Sequence, residues 1–161
     1  MELARRTKCR ITGLEISRSF VDIARRNAGE AGVEIDIRQG NASAMPFEDG
    51  TFDFVVCTSS LKSFSDPVTA LREIWRVLNA SGRDWISDMR HDVSRRTIRE
   101  FVANEMKVKG LSAVLMRYTF ERTLRPRAST AAQFSEMAKG IPYARVELKN
   151  NQMDFDALLE R

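Results

Sequence analysis

Residues 9–40 carry the pattern that most constrains this chain, a strand, a helix and a second strand within about 30 residues. In the run CRITGLE, Ile11 and Leu14 suit a buried strand that stops at Glu15. Ser17 and Ser19 then offer N-caps, and Asp22 stands in the capping-box position relative to Ser19. Phe20, Ile23, Ala24, Asn27 and Ala28 follow at helical spacing until Gly29 and Gly32, so a helix is predicted over 17–29. Val33, Ile35 and Ile37 alternate with polar residues, as on a strand with one face exposed, and run into Gly40-Asn41-Ala42. Two strands joined by a helix of this length form a right-handed crossover and lie parallel in one sheet, which makes the fold class α/β.

The rest of the chain repeats the theme. After a turn at Glu48-Asp49-Gly50, the run from Phe52 to Cys57 reads as a strand buried on both faces, closed by Thr58-Ser59-Ser60. Asp66-Pro67 is a helix start, and Val68, Leu71, Ile74, Trp75 and Leu78 supply an apolar stripe up to Ser81-Gly82. The run RDWISDM, from Arg83 to Met89, is a further strand. A charged stretch from about Val93 to Leu124 suggests two helices divided near Gly110, and Thr130 caps another carrying Phe134 and Met137. Residues 144–148 and 153–159 fit a terminal pair of strands. A chain of 161 residues is of single-domain size, and we read 1–161 as one domain with a helical insertion at about 90–127.

Hydrophobic residues at 43% and charged residues at 30%, with only eight Gly and four Pro, exclude disordered and collagen-like classes. No stretch approaches the roughly 20 apolar residues of a membrane span, and MELARRTKCR lacks a signal-peptide core, so cytoplasmic localisation without membrane partners is expected. Cys9 and Cys57 lie far apart with no CxxC spacing, and the single histidine, His91, cannot build a multi-histidine centre; no metal is expected. The net charge of +4 is uneven: Arg83 to Arg127 holds eleven Lys or Arg against six Asp or Glu. A solvated helical face accounts for that excess better than a nucleic-acid surface does.

In an open parallel sheet a ligand binds beyond the carboxyl ends of the strands, which places Glu15, Gly40-Asn41-Ala42 and Thr58-Ser59-Ser60 together as candidates. A strand-end acid can accept both hydroxyls of a ribose diol, and an Asn beside a small residue can meet an adenine edge. Taken singly, a solvated Glu15 and a turn-capping Asn41 fit as well; jointly they suggest an adenosine-bearing cofactor.

The motifs ITGLEIS, GNASAMPFEDGTFDFVVCTSSLKSF and ALREIWRVLNASG together resemble the class I S-adenosylmethionine-dependent methyltransferases, in particular their small-molecule branch. The likeness is close over about Arg10 to Asp88 and loose beyond. It implies a Rossmann-like sheet with helices on both faces, S-adenosylmethionine as cofactor and a small-molecule methyl acceptor. By the resemblance Glu15 takes the ribose diol, Ile16 touches adenine, and Asn41 with Ala42 meets the adenine edge. Thr58 and Cys57 would lie by the methionine moiety, with Leu61 nearby; no catalytic residue is implied. Asn41 stands where the family usually has Asp, Asn79-Ala80-Ser81-Gly82 replaces Lys-Pro-Gly-Gly, and Lys62 stands where relatives often have His.

The family's first strand and Gly-rich loop, whose amides and helix N-terminus hold the methionine carboxylate, have no counterpart in this sequence. Met1 to Arg6 reads as the tail of the helix that would follow them, so a domain truncated at its N-terminus is expected. Two other arrangements stay open, a complete chain in which the family's second and fourth strands pair directly, and a homo-oligomer or complementing chain that supplies the missing strand. Two further functions stay open at this point, a non-catalytic partner or regulatory module and, through the basic segment, RNA binding. The long segment after Met89 carries Phe101, Met106, Leu115, Met116, Tyr118 and Phe120, whose spacing fits either core packing or a substrate pocket.

Overall fold

The computed structural model describes residues 2–7 and 9–161. Contacts divide the chain into two compact units, Met1–Pro46 and Phe47–Arg161.

The first unit contains α1 (Glu2–Arg6), β1 (Thr12–Glu15), α2 (Arg18–Glu30) and β2 (Asp36–Gln39). β1 and β2 pair in parallel from Thr12↔Asp36 to Glu15↔Gln39, as the crossover argument requires. α2 buries Val21 and Ala28. Ser17 is its N-cap, so Ser19 already lies inside the helix and the Ser19–Asp22 capping box does not form; Ser17 Oγ meets Ser19 Oγ at 2.9 Å instead. At the other end the chain closes through Ala31 N–H to Asn27 O, Gly32 N–H to Gly29 O and Val33 N–H to Ala28 O, with Gly32 left-handed at φ 63. That closure consumes Val33, which is why β2 begins at Asp36, later than the alternation suggested.

The second unit holds β3 (Phe52–Thr58), a 3₁₀ turn (Leu61–Ser63), α3 (Pro67–Val77) and β4 (Leu78–Met89). α4 (Arg95–Glu100) widens into a π turn over Phe101–Glu105, and α5 (Gly110–Tyr118) does the same over Thr119–Leu124. α6 (Ala131–Ala138), β5 (Arg145–Asn150) and β6 (Asp154–Glu160) complete it. The sheet order is β3-β4-β6-β5, with β3 parallel to β4 and the other pairings antiparallel. Asp66 caps α3 by accepting from Thr69 N–H at 2.9 Å, Pro67 sits in the first turn, and Thr130 and Gln133 form a capping box on α6. β4 starts at Leu78 because Phe52 already pairs with it; the ladder then shifts and resumes at Phe54↔Arg83. Gly82 closes this bulge, where a Cβ would lie 3.0 Å from both Leu78 and Asn79.

One face of this sheet carries Ile86, Phe155, Ala157 and Leu159, all fully buried, and α6 lays Phe134 on Phe155 with ring centroids 5.1 Å apart. α3 contributes buried Leu71, Ile74 and Val77. Register places Phe54 and Val56 on the opposite face with Arg83 and Trp85. Phe54 is 48% exposed and Val56 44% exposed, so β3 is not buried on both faces. The cause is topological: β3 is an end strand of its four-stranded sheet. A smaller core joins Met89, Val93, Ile98, Val102, Ala128 and Met153. Phe101, Met106, Met116 and Phe120 pack against it, Phe101 and Phe120 edge to face at 5.9 Å. Leu115 and Tyr118, from the same sequence set, point to solvent.

Candidate functional site

In the first unit the carboxyl ends of two parallel neighbours bring four candidates together. Glu15 ends β1, and its carbonyl accepts Gly40 N–H at 3.0 Å, which holds the start of the Gly40-Asn41-Ala42 turn beside it. Glu15 Oε1 accepts Ser17 N–H at 2.8 Å. This bond fixes the half-buried carboxylate at the strand end, and a carboxylate offers about four acceptor positions in all. Ile16 follows with 66% exposure, an apolar side chain displayed where a strand gives way to a helix. Asn41 Oδ1 accepts Ser43 N–H at 2.9 Å, an Asx turn that pre-orients the amide. Gly40 is required here: a Cβ would come within 2.7 Å of Leu14 Cδ1 and 2.9 Å of Pro46 Cδ.

In the second unit Cys57 and Thr58 end β3, with Thr58 exposed and Cys57 half-buried. Ser59 follows in a left-handed conformation at φ 56 and donates its N–H to Ser87 O at 2.7 Å. Leu61 then turns inward and is only 4% exposed, so it belongs to the core of this unit.

An unforeseen group holds this loop. Lys62 Nζ donates to Asp88 Oδ1 at 2.8 Å and also to Ser59 O, and Lys62 N–H donates to Asp88 Oδ2 at 2.9 Å. Both side chains are nearly inaccessible, at 8% for Lys62 and 3% for Asp88. The pair ties the loop after β3 to the end of β4. Burial pushes the Cys57 thiol up to about 11, reinforced by Asp88 and Asp84 and opposed by Lys62, so the group is neutral at physiological pH. A second buried carboxylate, Asp84, has no hydrogen bond to either oxygen. The Tyr143 hydroxyl stands close enough to favour its ionisation but donates to Leu71 O at 3.3 Å. The period-2 set Asp84, Ile86, Asp88 within RDWISDM carried the signal for both carboxylates, since a buried Ile86 commits its neighbours two residues away to the same face.

A cavity of about 180 Å³ lies elsewhere, among Arg99, Val102, Val108, Ala113 and Arg117, and none of the candidate residues lines it. His91 Nδ1 lies 2.9 Å from Arg125 O at the surface. Among the described residues no cluster of three or more His, Cys, Asp or Glu could hold a metal ion, and no helix is long and apolar enough to cross a membrane.

Parallel strands linked by a helix, with polar side chains at their carboxyl ends, define a Rossmann-like α/β protein of the kind that binds a nucleotide-bearing cofactor. The family described as Methyltransferase domain matches residues 1–86, and the chain belongs to that family. It is 41% identical over 75 residues to a demethylmenaquinone methyltransferase of Lactococcus lactis, covering 46% of this chain and 30% of the relative. Against an uncharacterised methyltransferase of Bacillus subtilis it is 28% identical over 152 residues, covering 92% of this chain and 55% of the relative. The chain thus spans between about a third and just over half the length of these curated relatives. Among solved structures, a putative S-adenosyl-L-methionine-dependent methyltransferase from Methanococcus maripaludis superposes with a TM-score of 0.73 at 21% identity. That match covers 99% of this chain and 70% of the other, and it shows the shared fold.

Proposed function

We propose that the chain is the cofactor-binding part of an S-adenosylmethionine-dependent methyltransferase acting on a small molecule. The observation that carries this reading is the juxtaposition, within the first unit, of Glu15 and the Asn41-Ala42 turn at the carboxyl ends of paired parallel strands. The names of the relatives, demethylmenaquinone methyltransferases among them, support the reaction class and a small-molecule rather than a macromolecular acceptor.

The residues present fit the adenosine half of such a cofactor. Glu15, pinned through Ser17 N–H, retains acceptor positions for both ribose hydroxyls. Ile16 supplies an exposed apolar surface for the adenine ring. Asn41 can accept through the second lone pair of Oδ1 or donate through its NH₂, and Ala42 leaves room for the ring edge. In the second unit we propose exposed Thr58, with half-buried Cys57, as the ligand-facing residues at the end of β3, while Leu61 serves that unit's core. Bound S-adenosylmethionine would supply a methyl group already activated on a sulfonium. The protein's own contribution is then to hold the cofactor and acceptor in line and to exclude water, with no general base required.

The test is titration calorimetry of S-adenosylhomocysteine into the chain and into the longest open reading frame that contains it. Wild-type protein binds, and Glu15→Ala weakens binding by roughly tenfold to a hundredfold, as expected for losing hydrogen bonds to a charged acceptor. Absence of binding by both wild-type proteins, or equal binding by Glu15→Ala, overturns the proposal.

A further inference from the structure

The outer face of α5 has no partner among the described residues. Leu111 is 83% exposed, Val114 51%, Leu115 65% and Tyr118 62%. Their spacing of three, four and seven residues makes one continuous apolar stripe along the helix. The inner face is committed, since Ala113 and Met116 pack on the core with Phe120 from the turn that follows. Single exposed apolar residues are ordinary, but four in register on one helix are a surface built to be covered.

Charge selects the cover. From residue 107 to residue 127 the chain carries Lys107, Lys109, Arg117, Arg122, Arg125 and Arg127 against a single acid, Glu121. Glu121 is engaged by Arg95 at 3.4 Å. Lys109 caps the start of α5 and Arg122 lies one turn beyond Tyr118, both exposed, so cations border the stripe at both ends. A second copy of the same face would bring like charges together. A nucleic acid would use the cations and leave three aliphatic side chains without a role. An anionic lipid surface satisfies both, taking the apolar residues at the acyl boundary and the cations among its headgroups.

We infer that α5 and the turn after it form an interfacial docking surface by which this protein associates reversibly with anionic membranes. The helix lies in the plane of the interface and does not cross it. This inference stands apart from the cofactor assignment, because none of its residues belongs to the Glu15 or Thr58 clusters.

The experiment is co-sedimentation of the chain with vesicles of phosphatidylcholine alone and of phosphatidylcholine mixed with phosphatidylglycerol. The wild type partitions onto the mixed vesicles, stays in solution with phosphatidylcholine alone, and is released by raised salt. Leu111→Ser with Leu115→Ser, and separately Lys109→Ala with Arg122→Ala, each weaken partition by roughly tenfold or more while the melting temperature is unchanged. Should the leucine pair alter melting, Leu111→Ser alone decides, since it is the most exposed of the four. No partition onto anionic vesicles overturns the inference, as does wild-type partition by the leucine pair. Retention by RNA or heparin without vesicle binding would mark a polyanion surface, and self-association without vesicle binding a dimer face; either result also overturns it.

Discussion

Asp84 makes the sharpest physical demand on this fold. Its side chain is 0% exposed on the central strand β4, neither oxygen has a hydrogen bond, and burial raises its pKa from 3.8 to about 7. For a carboxyl group raised in the folded state the sign runs against the usual acid case. Below about pH 4 the group is neutral whether the chain is folded or not. Between about pH 4 and pH 7 the unfolded chain releases a proton that the folded chain keeps, so stability falls as pH rises; above about pH 7 it is level again. At about 1.4 kcal/mol for each tenfold step, the full loss is on the order of 4 kcal/mol, of which about 3 kcal/mol falls between pH 5 and pH 8. Asp84→Asn preserves shape and removes the charge. The assay is urea unfolding followed by circular dichroism across that range, read as the difference between variant and wild type, which cancels the titration of every other group. The stability of Asp84→Asn relative to wild type climbs by about 3 kcal/mol from pH 5 to pH 8. The amide has a constant cost of its own as a buried donor, which shifts the whole difference curve without tilting it. A difference that is flat or falls with pH refutes the reasoning, because the folded chain would then hold Asp84 ionised with a partner.

Two other buried groups give independent checks. Lys62→Met leaves Asp88 buried without its cation, and urea unfolding should show a loss of about 3–5 kcal/mol, whereas Lys62→Met with Asp88→Leu recovers much of it. Recovery that fails would mean the pair matters through the backbone bond from Lys62 N–H rather than through charge. The two cysteines should react very differently: Cys9 is exposed, while burial raises the Cys57 thiol to about 11. At about pH 8 an alkylating reagent followed by mass spectrometry should label Cys9 at least roughly tenfold faster, and labelling of Cys57 should accelerate as pH rises further.

How far these features were legible in the sequence depends on whether local chemistry or tertiary partnership decides them. Caps are local. Asp66 and Thr130 act on amides three residues away, and both sit where their residue type and neighbours place them. The parallel pairing of β1 with β2 is also near in sequence, since one helix of fixed length leaves a single handed way back to the sheet. Ser19 shows the limit of the same reasoning: with two serines in capping range, the choice fell to Ser17, whose N–H is held by Glu15 at the end of β1. A strand's apolar run reports that it can be buried, but not whether a neighbour arrives, and Phe54 and Val56 stand exposed on the end strand of their sheet.

Helical periodicity has the same blindness, because it groups residues by face without saying which face meets the core. In the segment after β4, Phe101, Met106, Met116 and Phe120 turned inward, while Leu115 and Tyr118 joined Leu111 and Val114 outside. A helix that is apolar on both sides satisfies two partners, and only the structure tells which side the protein has already used. The same logic separates the two kinds of acid at strand ends. Glu15 remains half-buried beside a turn that Gly40 keeps open, with Ile16 exposed next to it; Asp88 is sealed by Lys62 and spent on holding a loop. Both are carboxylates at strand ends. Exposure and prior engagement are what leave one carboxylate available for the cofactor contact we propose and commit the other to architecture.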